Sequence, residues 1–252
     1  MTTTVGGRAR VVGCSIDRLD MDQTLARCEE LIESGEYAQH LCINAAKAVA
    51  ARDDAELRAI IDRCEVVSAD GQAVVWASRI LGDPLPTRVA GIDLMQRLLE
   101  RAEARGYRVF ILGATPEVLE RAAERIRARH PRIALVGMRD GYFLEADDAA
   151  VAAEVAAARP DILFVAMPSP RKEHWLGRYG PGLGVPFVMG VGGSVDVIAG
   201  VTKRAPALWQ KLGLEWAYRL LQEPRRLMGR YARTNLRFMY LVARELVARR
   251  VR

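Results

Sequence analysis

The sequence predicts an α/β protein, with a mainly parallel sheet covered by helices on both faces. Three observations predict it. Short apolar runs of strand length alternate with helix-length amphipathic stretches from residue 10 to about residue 200. Some of these runs, such as 162–167, are apolar throughout, as in strands buried on both faces. Turn or cap residues follow the runs directly, at Asn44, Asp70, Gly113 and Gly190. The pattern is Rossmann-like, and in such sheets ligands gather at the carboxyl ends of the strands.

Taken in order, residues 10–14 read as a strand. Asp20-Met21-Asp22 then opens a helix that stops at Gly35. An Asp-x-Asp triplet can hold a divalent metal, but at a helix start it more often caps and charges the N-terminus. Residues 40–43 are a strand ending at Asn44, followed by helices over 45–52 and 54–63. Residues 66–69 are a strand ending at Asp70, with a helix after it to about 81. A Pro-rich loop carries Arg88. Residues 91–105 are a helix with Ile92, Met95, Leu98 and Leu99 on one face. Residues 107–112 are a strand, and Thr115-Pro116 is a helix entry. A strand at 132–137, a loop at Gly141-Tyr142-Phe143, an Ala-rich helix at 147–158 and a strand at 161–167 follow. Arg171-Lys172-Glu173 then starts a helix, either facing a ligand phosphate or as a solvated charge run. Residues 186–189 are a strand, and Gly190-Val191-Gly192-Gly193 leads into a helix through Asp196 and Ile198.

The chain then changes character. Among its 252 residues Lys and Arg exceed Asp and Glu by six. Residues 203–252 alone hold 13 Lys/Arg against Glu215, Glu223 and Glu245, a net +10, which leaves −4 for residues 1–202. The expected division is therefore a catalytic domain at 1–202 and a basic helical appendage at 203–252. Trp209, Leu212, Trp216 and Leu220 share one face of a helix. Arg226, Arg230, Arg233, Arg237 and Arg244 form a row on the next, beside Leu227, Tyr231, Phe238 and Leu241. Such a surface suits anionic lipid or phosphate, and its apolar stripe could equally bury a subunit contact. Half the residues are hydrophobic, enough for a substantial core. No apolar run approaches a membrane span, and residues 1–7 lack a signal-peptide core. Cys14, Cys28, Cys42 and Cys64 and the three histidines show no metal or disulfide spacing, so a metal-free site without cofactor is expected.

Asn44, Asp70, Gly113, Lys172 and Gly192 all fall at carboxyl ends of predicted strands. One acid among cations and backbone N–H groups suits transfer from a phosphate-activated donor: the acid deprotonates a nucleophile and the cations stabilise the leaving phosphate. Asp70 can alternatively be a helix cap, and Gly113 and Gly192 simple turns. Arg88, without a helical partner, can clamp an anion.

Several stretches are specific. They include Ser68-Ala69-Asp70-Gly71; Pro84 through Leu94; Asp140-Gly141-Tyr142-Phe143; Met189 through Gly200; Lys203-Arg204-Ala205-Pro206; Gln210 through Trp216; and Tyr218 through Arg226. In these the chain resembles the WecG/TagA/CpsF family of bacterial glycosyltransferases over about residues 10–240. The resemblance implies a Rossmann-like fold with a membrane-targeting C-terminal appendage. It implies inverting sugar transfer from a UDP-sugar to a polyprenyl-diphosphate-linked saccharide, at the cytoplasmic membrane face and with no required metal. Asp70 matches the catalytic base, and Arg88 an arginine near the active site. Asn44, Tyr142, Gly192, Gly193 and Asp196 match positions around the UDP, which Arg88, Gly113 and Lys172 complete. Arg219 and Arg226 match arginines that reach the diphosphate. Three positions depart from the family pattern: Cys42 stands for a threonine, Lys172 for a glutamine, and Gly229 for an arginine with Arg230 beside it. A lysine at 172 suits either an acidic sugar or the diphosphate.

A soluble nucleotide-cofactor oxidoreductase is the competing class. The glycine run at 190–193 lacks the third glycine of the dinucleotide fingerprint. A nucleic-acid module using the arginine row is a third class, for which binding to duplex DNA would be steeply salt-dependent; no nucleic-acid partner is expected, and a homo-oligomer is compatible with the apolar stripes.

Overall fold

The computed structural model describes residues 7–222 and 224–250, apart from the side chains of Lys211, Arg219, Arg226, Leu227 and Arg230. The expected single strand at 10–14 is instead a hairpin, β1 (Arg8–Val11) and β2 (Cys14–Asp17). Val12 and Gly13 take φ of 50° and 77°, the two left-handed positions of a type I′ turn. A β-branched residue at such a position escapes a reading based on Asn-Gly turns. The hairpin lies outside the main sheet, tied to it where Asp17 Oδ2 accepts from the Val67 N–H at 2.7 Å.

Helix α1 (Met21–Ser34) begins as expected. Asp20 accepts from the Gln23 N–H and Gln23 Oε1 accepts from the Asp20 N–H, a reciprocal cap, while Gly35 at φ 73° ends the helix. Asp22 pairs with Arg97 at 2.5 Å. Both acids of the triplet thus serve the helix and its neighbour.

The main sheet has six parallel strands: β3 (Ala38–Ile43), β4 (Val66–Ala69), β5 (Arg108–Gly113), β6 (Ala134–Arg139), β7 (Ile162–Ala166) and β8 (Phe187–Gly190). Their order is β4-β3-β8-β7-β5-β6. Alternate residues divide between two faces, as the two-residue strand period requires. One face, with Cys42, Ile111, Phe164 and Met189, packs against α1, α5 (Gly91–Arg105), α6 (Pro116–Arg129) and α9 (Ser194–Ile198). The other face is covered in two parts. Leu41, Ile43, Val67 and Ala69 meet α2 (Ala45–Asp53), α3 (Ala55–Arg63), α4 (Gln72–Ile80) and the hairpin. Leu112, Leu163, Val165 and Val188 meet α7 (Asp148–Ala158) and α8 (Arg171–Tyr179). Rossmann-like layering follows directly from this division.

After α9 come α10 (Ala207–Lys211), α11 (Glu215–Gln222) and α12 (Pro224–Arg250). The single helical face expected across Trp209 to Leu220 is broken at Gly213, which takes φ 72° and separates α10 from α11. A Cβ there would lie 2.4 Å from Gln72 Cγ, so this turn sits against the start of α4. Phe238, Leu241 and Val242 of α12 are buried with the hairpin and α2–α4. Arg249 donates to the carbonyls of Leu81 and Arg10. The last helix is thereby docked on the body, and the apolar stripe read from its sequence is in large part its docking face.

Candidate active site

Because all six strands run the same way, their carboxyl ends form one rim, about 24 Å from β4 to β6 at the usual strand spacing. Sequence-predicted residues occupy it in spatial order: Asp70 after β4, Asn44 after β3, Gly192, Gly193 and Asp196 after β8, the α8 start with Lys172 after β7, Gly113 at the end of β5 and Tyr142 beyond β6.

Asp70 and Asn44 are neighbours. The Asp70 N–H donates to the Ile43 carbonyl at 2.9 Å, and a Cβ on Gly71 would meet Asn44 Cβ at 3.3 Å. Asn44 caps α2, accepting from the Lys47 N–H at 3.0 Å. Asp70 does not cap the helix that follows it, since the N-cap of α4 is Gly71 and no side chain caps that helix. Instead Asp70 Oδ1 accepts from the Gly91 N–H, the first of α5, at 3.0 Å. The loop before α5 brings this about by lying along β4, with the Val89 N–H on the Ala69 carbonyl at 2.9 Å. Among the described residues Asp70 Oδ2 accepts no hydrogen bond. Burial pushes the Asp70 carboxyl above its usual range, and Glu215 adds to this; the Gly91 N–H, Arg88 and Lys47 oppose the rise without cancelling it. A carboxylate whose proton affinity is raised is a better base once ionised.

The same loop delivers Arg88, and here the structure supplies a partner that sequence reasoning missed. Arg88 pairs with Glu215 at the start of α11. Glu215 also takes Arg204 Nε at 3.3 Å, and Arg204 grips Asp93 of α5 with two bonds, at 2.5 and 2.7 Å. A chain of charges, Asp93–Arg204–Glu215–Arg88, thus binds the appendage to the Asp70 loop. Asp93, Arg204 and Glu215 all fall in the specific stretches noted above, which was the available signal; their pairing is tertiary.

Gly113 and Tyr142 meet at the other end. Gly113 takes φ 123°, and a Cβ on it would come within 2.5 Å of the Ala166 backbone, so only glycine fits. A Cβ on Gly141 would meet Gly113 Cα at 2.9 Å, which sets the Tyr142 loop directly over the end of β5. Tyr142 itself is exposed. Gly192 takes φ 50° with open space where a side chain would be, beside the partly exposed Gly193 and Asp196. The side chains of Arg219, Arg226 and Arg230 lie outside the described residues.

Lys172 and Glu173 are not a solvated charge run. Both are buried, Lys172 Nζ contacts Glu173 Oε1 at 2.5 Å, and Lys47 Nζ reaches the same oxygen at 2.7 Å. Arg171 is the outer member and lies over the Phe143 ring at 4.8 Å. The participation of Lys47 was illegible in the sequence. Among the described residues no cluster of His, Cys, Asp or Glu could hold a metal ion.

The protein is thus a Rossmann-like α/β protein with a carboxylate and cations gathered on the carboxyl rim of its parallel sheet. Residues 9–252 match the model of the glycosyl transferase WecG/TagA/CpsF family, nearly the whole chain, and the protein belongs to that family. It is accordingly a glycosyltransferase.

Proposed function

We propose that the protein transfers a hexosyl or N-acetylhexosaminyl group, with inversion, from a UDP-sugar to a polyprenyl-diphosphate-linked saccharide in the synthesis of a cell-envelope or exported polysaccharide. The observation that carries this is Asp70: a carboxylate of raised proton affinity at the rim, one oxygen fixed by the Gly91 N–H and the other uncommitted among the described residues. In this reading the free oxygen takes the acceptor hydroxyl's proton as that oxygen attacks the anomeric carbon. The donor lies along the rim, with Asn44, Gly192, Gly193, Asp196, Lys172, Gly113 and Tyr142 around its UDP. Arg88, released from Glu215, and the appendage residues Arg219, Arg226 and Arg230 meet diphosphate charge, stabilising a leaving group that carries more negative charge in the transition state.

No helix among the described residues is long and apolar enough to cross a membrane. The reading places the protein peripherally on the inner face of the cell membrane, through residues 203–252. Support comes from α12, where Met228, Leu236, Met239 and Tyr240 are exposed on the face away from the body, next to exposed Arg233 and Arg244.

The test is Asp70→Asn assayed with a panel of UDP-sugars and lipid-linked acceptors, reading released UDP. Transfer should fall by roughly 10²–10⁴-fold, the usual contribution of a general base, with UDP binding retained. Near-normal turnover would remove Asp70 from the mechanism.

A further inference from the structure

Alongside the rim, α2 and α8 meet over three buried charges. Glu173 has 1% of its side chain exposed, and its Oε1 accepts from Lys47 Nζ at 2.7 Å and Lys172 Nζ at 2.5 Å. One oxygen thus holds two ammoniums within about 5 Å of each other, where like charges in a poorly solvated site repel strongly. These three groups together carry one positive charge in excess; Asp70, near enough for Lys47 to lower its proton affinity, is the next carboxylate. An unpaired buried charge is costly, and proteins seldom retain one without a partner.

The hydrogen-bond ledger is equally incomplete. Each ammonium has three donors, and among the described residues each spends one, on Glu173. Glu173 Oε2 is buried with no partner. The lysines keep 8% and 7% of their side-chain surface exposed against 1% for Glu173, so the residual opening is on the cationic side. A Cβ on Gly190 would lie 2.3 Å from Lys172 Cε. Strand β8 therefore ends in glycine where the Lys172 stem crosses it, two residues before the open Gly192 turn. Burial, reinforced by Lys47, brings Lys172 down to about 8, so the surplus charge is held at neutral pH and given up more readily than by an ordinary lysine.

We propose that Lys47 and Lys172, gripped by Glu173, form a two-lysine seat for an anionic oxygen group of the donor, either its diphosphate or a carboxylate on its sugar. The inference rests on the donor-site reading above. A bound anion would take up the surplus charge and the unspent donors, and Glu173 would act as the holder that keeps the two ammoniums together.

Calorimetric titration of the full chain with UDP, UDP-glucose, UDP-glucuronate and inorganic diphosphate tests this, comparing the unaltered protein with Lys172→Gln. That variant leaves a neutral Lys47–Glu173 pair, so folding should survive. Gly190→Ala serves as a second variant that keeps the charge and displaces the stem. If the seat holds the diphosphate, all three uridine ligands weaken by about tenfold or more in both variants, as loss of a charge-assisted contact predicts. If it holds a sugar carboxylate, only UDP-glucuronate weakens. In either case binding near pH 8 takes up protons in the unaltered protein and not in Lys172→Gln, because the anion recharges Lys172. Uridine ligands that bind both variants as tightly as the unaltered protein, with equal proton uptake, would overturn the seat. So would the lack of Lys172-dependent binding by any probe. Lys172-dependent binding of inorganic diphosphate, with no uridine ligand bound, would reject the UDP donor and retain the seat.

Discussion

At the scale of single residues, Asp70 holds a structural bond, and in the proposed function it is also the base. Its Oδ1 completes the N-terminus of α5, an exchange that satisfies an otherwise orphaned N–H, and this fixes the direction of Oδ2. Burial raises its proton affinity. In the folded state the protonated form is thus favoured more than in the unfolded chain. The stabilisation from that form is complete below the unfolded pKa and is lost as pH rises through the higher folded one. At neutral pH the ionised Asp70 is therefore a cost. Asp70→Asn, whose amide oxygen can still accept from Gly91, should melt at a higher temperature than the unaltered protein at pH 7, and the difference should shrink toward acid; calorimetric scans over a pH series measure it. The same shift predicts that the acid limb of the transfer rate lies above the range of an ordinary carboxylate. Asp70 was legible as a residue of the carboxyl rim because it stands alone between an apolar run and a helix. Which helix it caps was not legible, since Gly91 is distant in sequence and reaches it only through the path of the loop.

At the scale of elements, the junction of α2 and α8 depends on Glu173. Burial opposes its ionisation, but the Lys47 and Lys172 ammoniums outweigh burial and hold it down at about 2. Its stabilising effect is present above the unfolded carboxyl range and is lost as pH falls toward about 2. Glu173→Gln would leave two buried ammoniums without a counterion, a loss of about 3–5 kcal/mol for a broken buried pair. Urea unfolding at pH 7 should show it, and part should return as pH rises, at a lower pH than Lys172 discharges in the unaltered protein, because Glu173 no longer holds the Lys172 proton in place. The turn between α10 and α11 is a second such junction. Gly213→Ala would add strain at φ 72° and drive a Cβ into Gln72, displacing α11, whose Arg219 the proposed function sets on the diphosphate. Transfer activity should fall while the main unfolding transition moves little. The strands and most helices were readable because period and cap residues are local signals. Hairpin β1–β2 and the break at Gly213 were not, because each depends on a left-handed backbone position whose sequence cue was ambiguous: Val12 is an unlikely turn residue, and Gly213 sits inside an otherwise helical stripe.

At the scale of the whole molecule, the structure changes how the appendage must be tested. The proposed function gives residues 203–252 the contact with the bilayer, yet Phe238, Leu241 and Val242 complete the core over α2–α4. Deleting the segment would expose that core and confound any binding result. Substitutions confined to the outward face avoid this. Arg233 and Arg244 are exposed, and each basic side chain near an anionic bilayer contributes about 1 kcal/mol. Arg233→Gln with Arg244→Gln should thus weaken partition onto phosphatidylserine-containing vesicles by about 2 kcal/mol, roughly thirtyfold. Leu236→Gln with Met239→Gln should weaken it further and act on neutral vesicles as well, where the arginine pair should matter little. Neither pair touches the buried face of α12, so melting temperature should be unchanged. Co-sedimentation at rising salt separates the two contributions, because the charge term is screened over about a Debye length and the apolar term is not. Unchanged pelleting of both double variants would assign the exposed face of α12 to a role other than the bilayer.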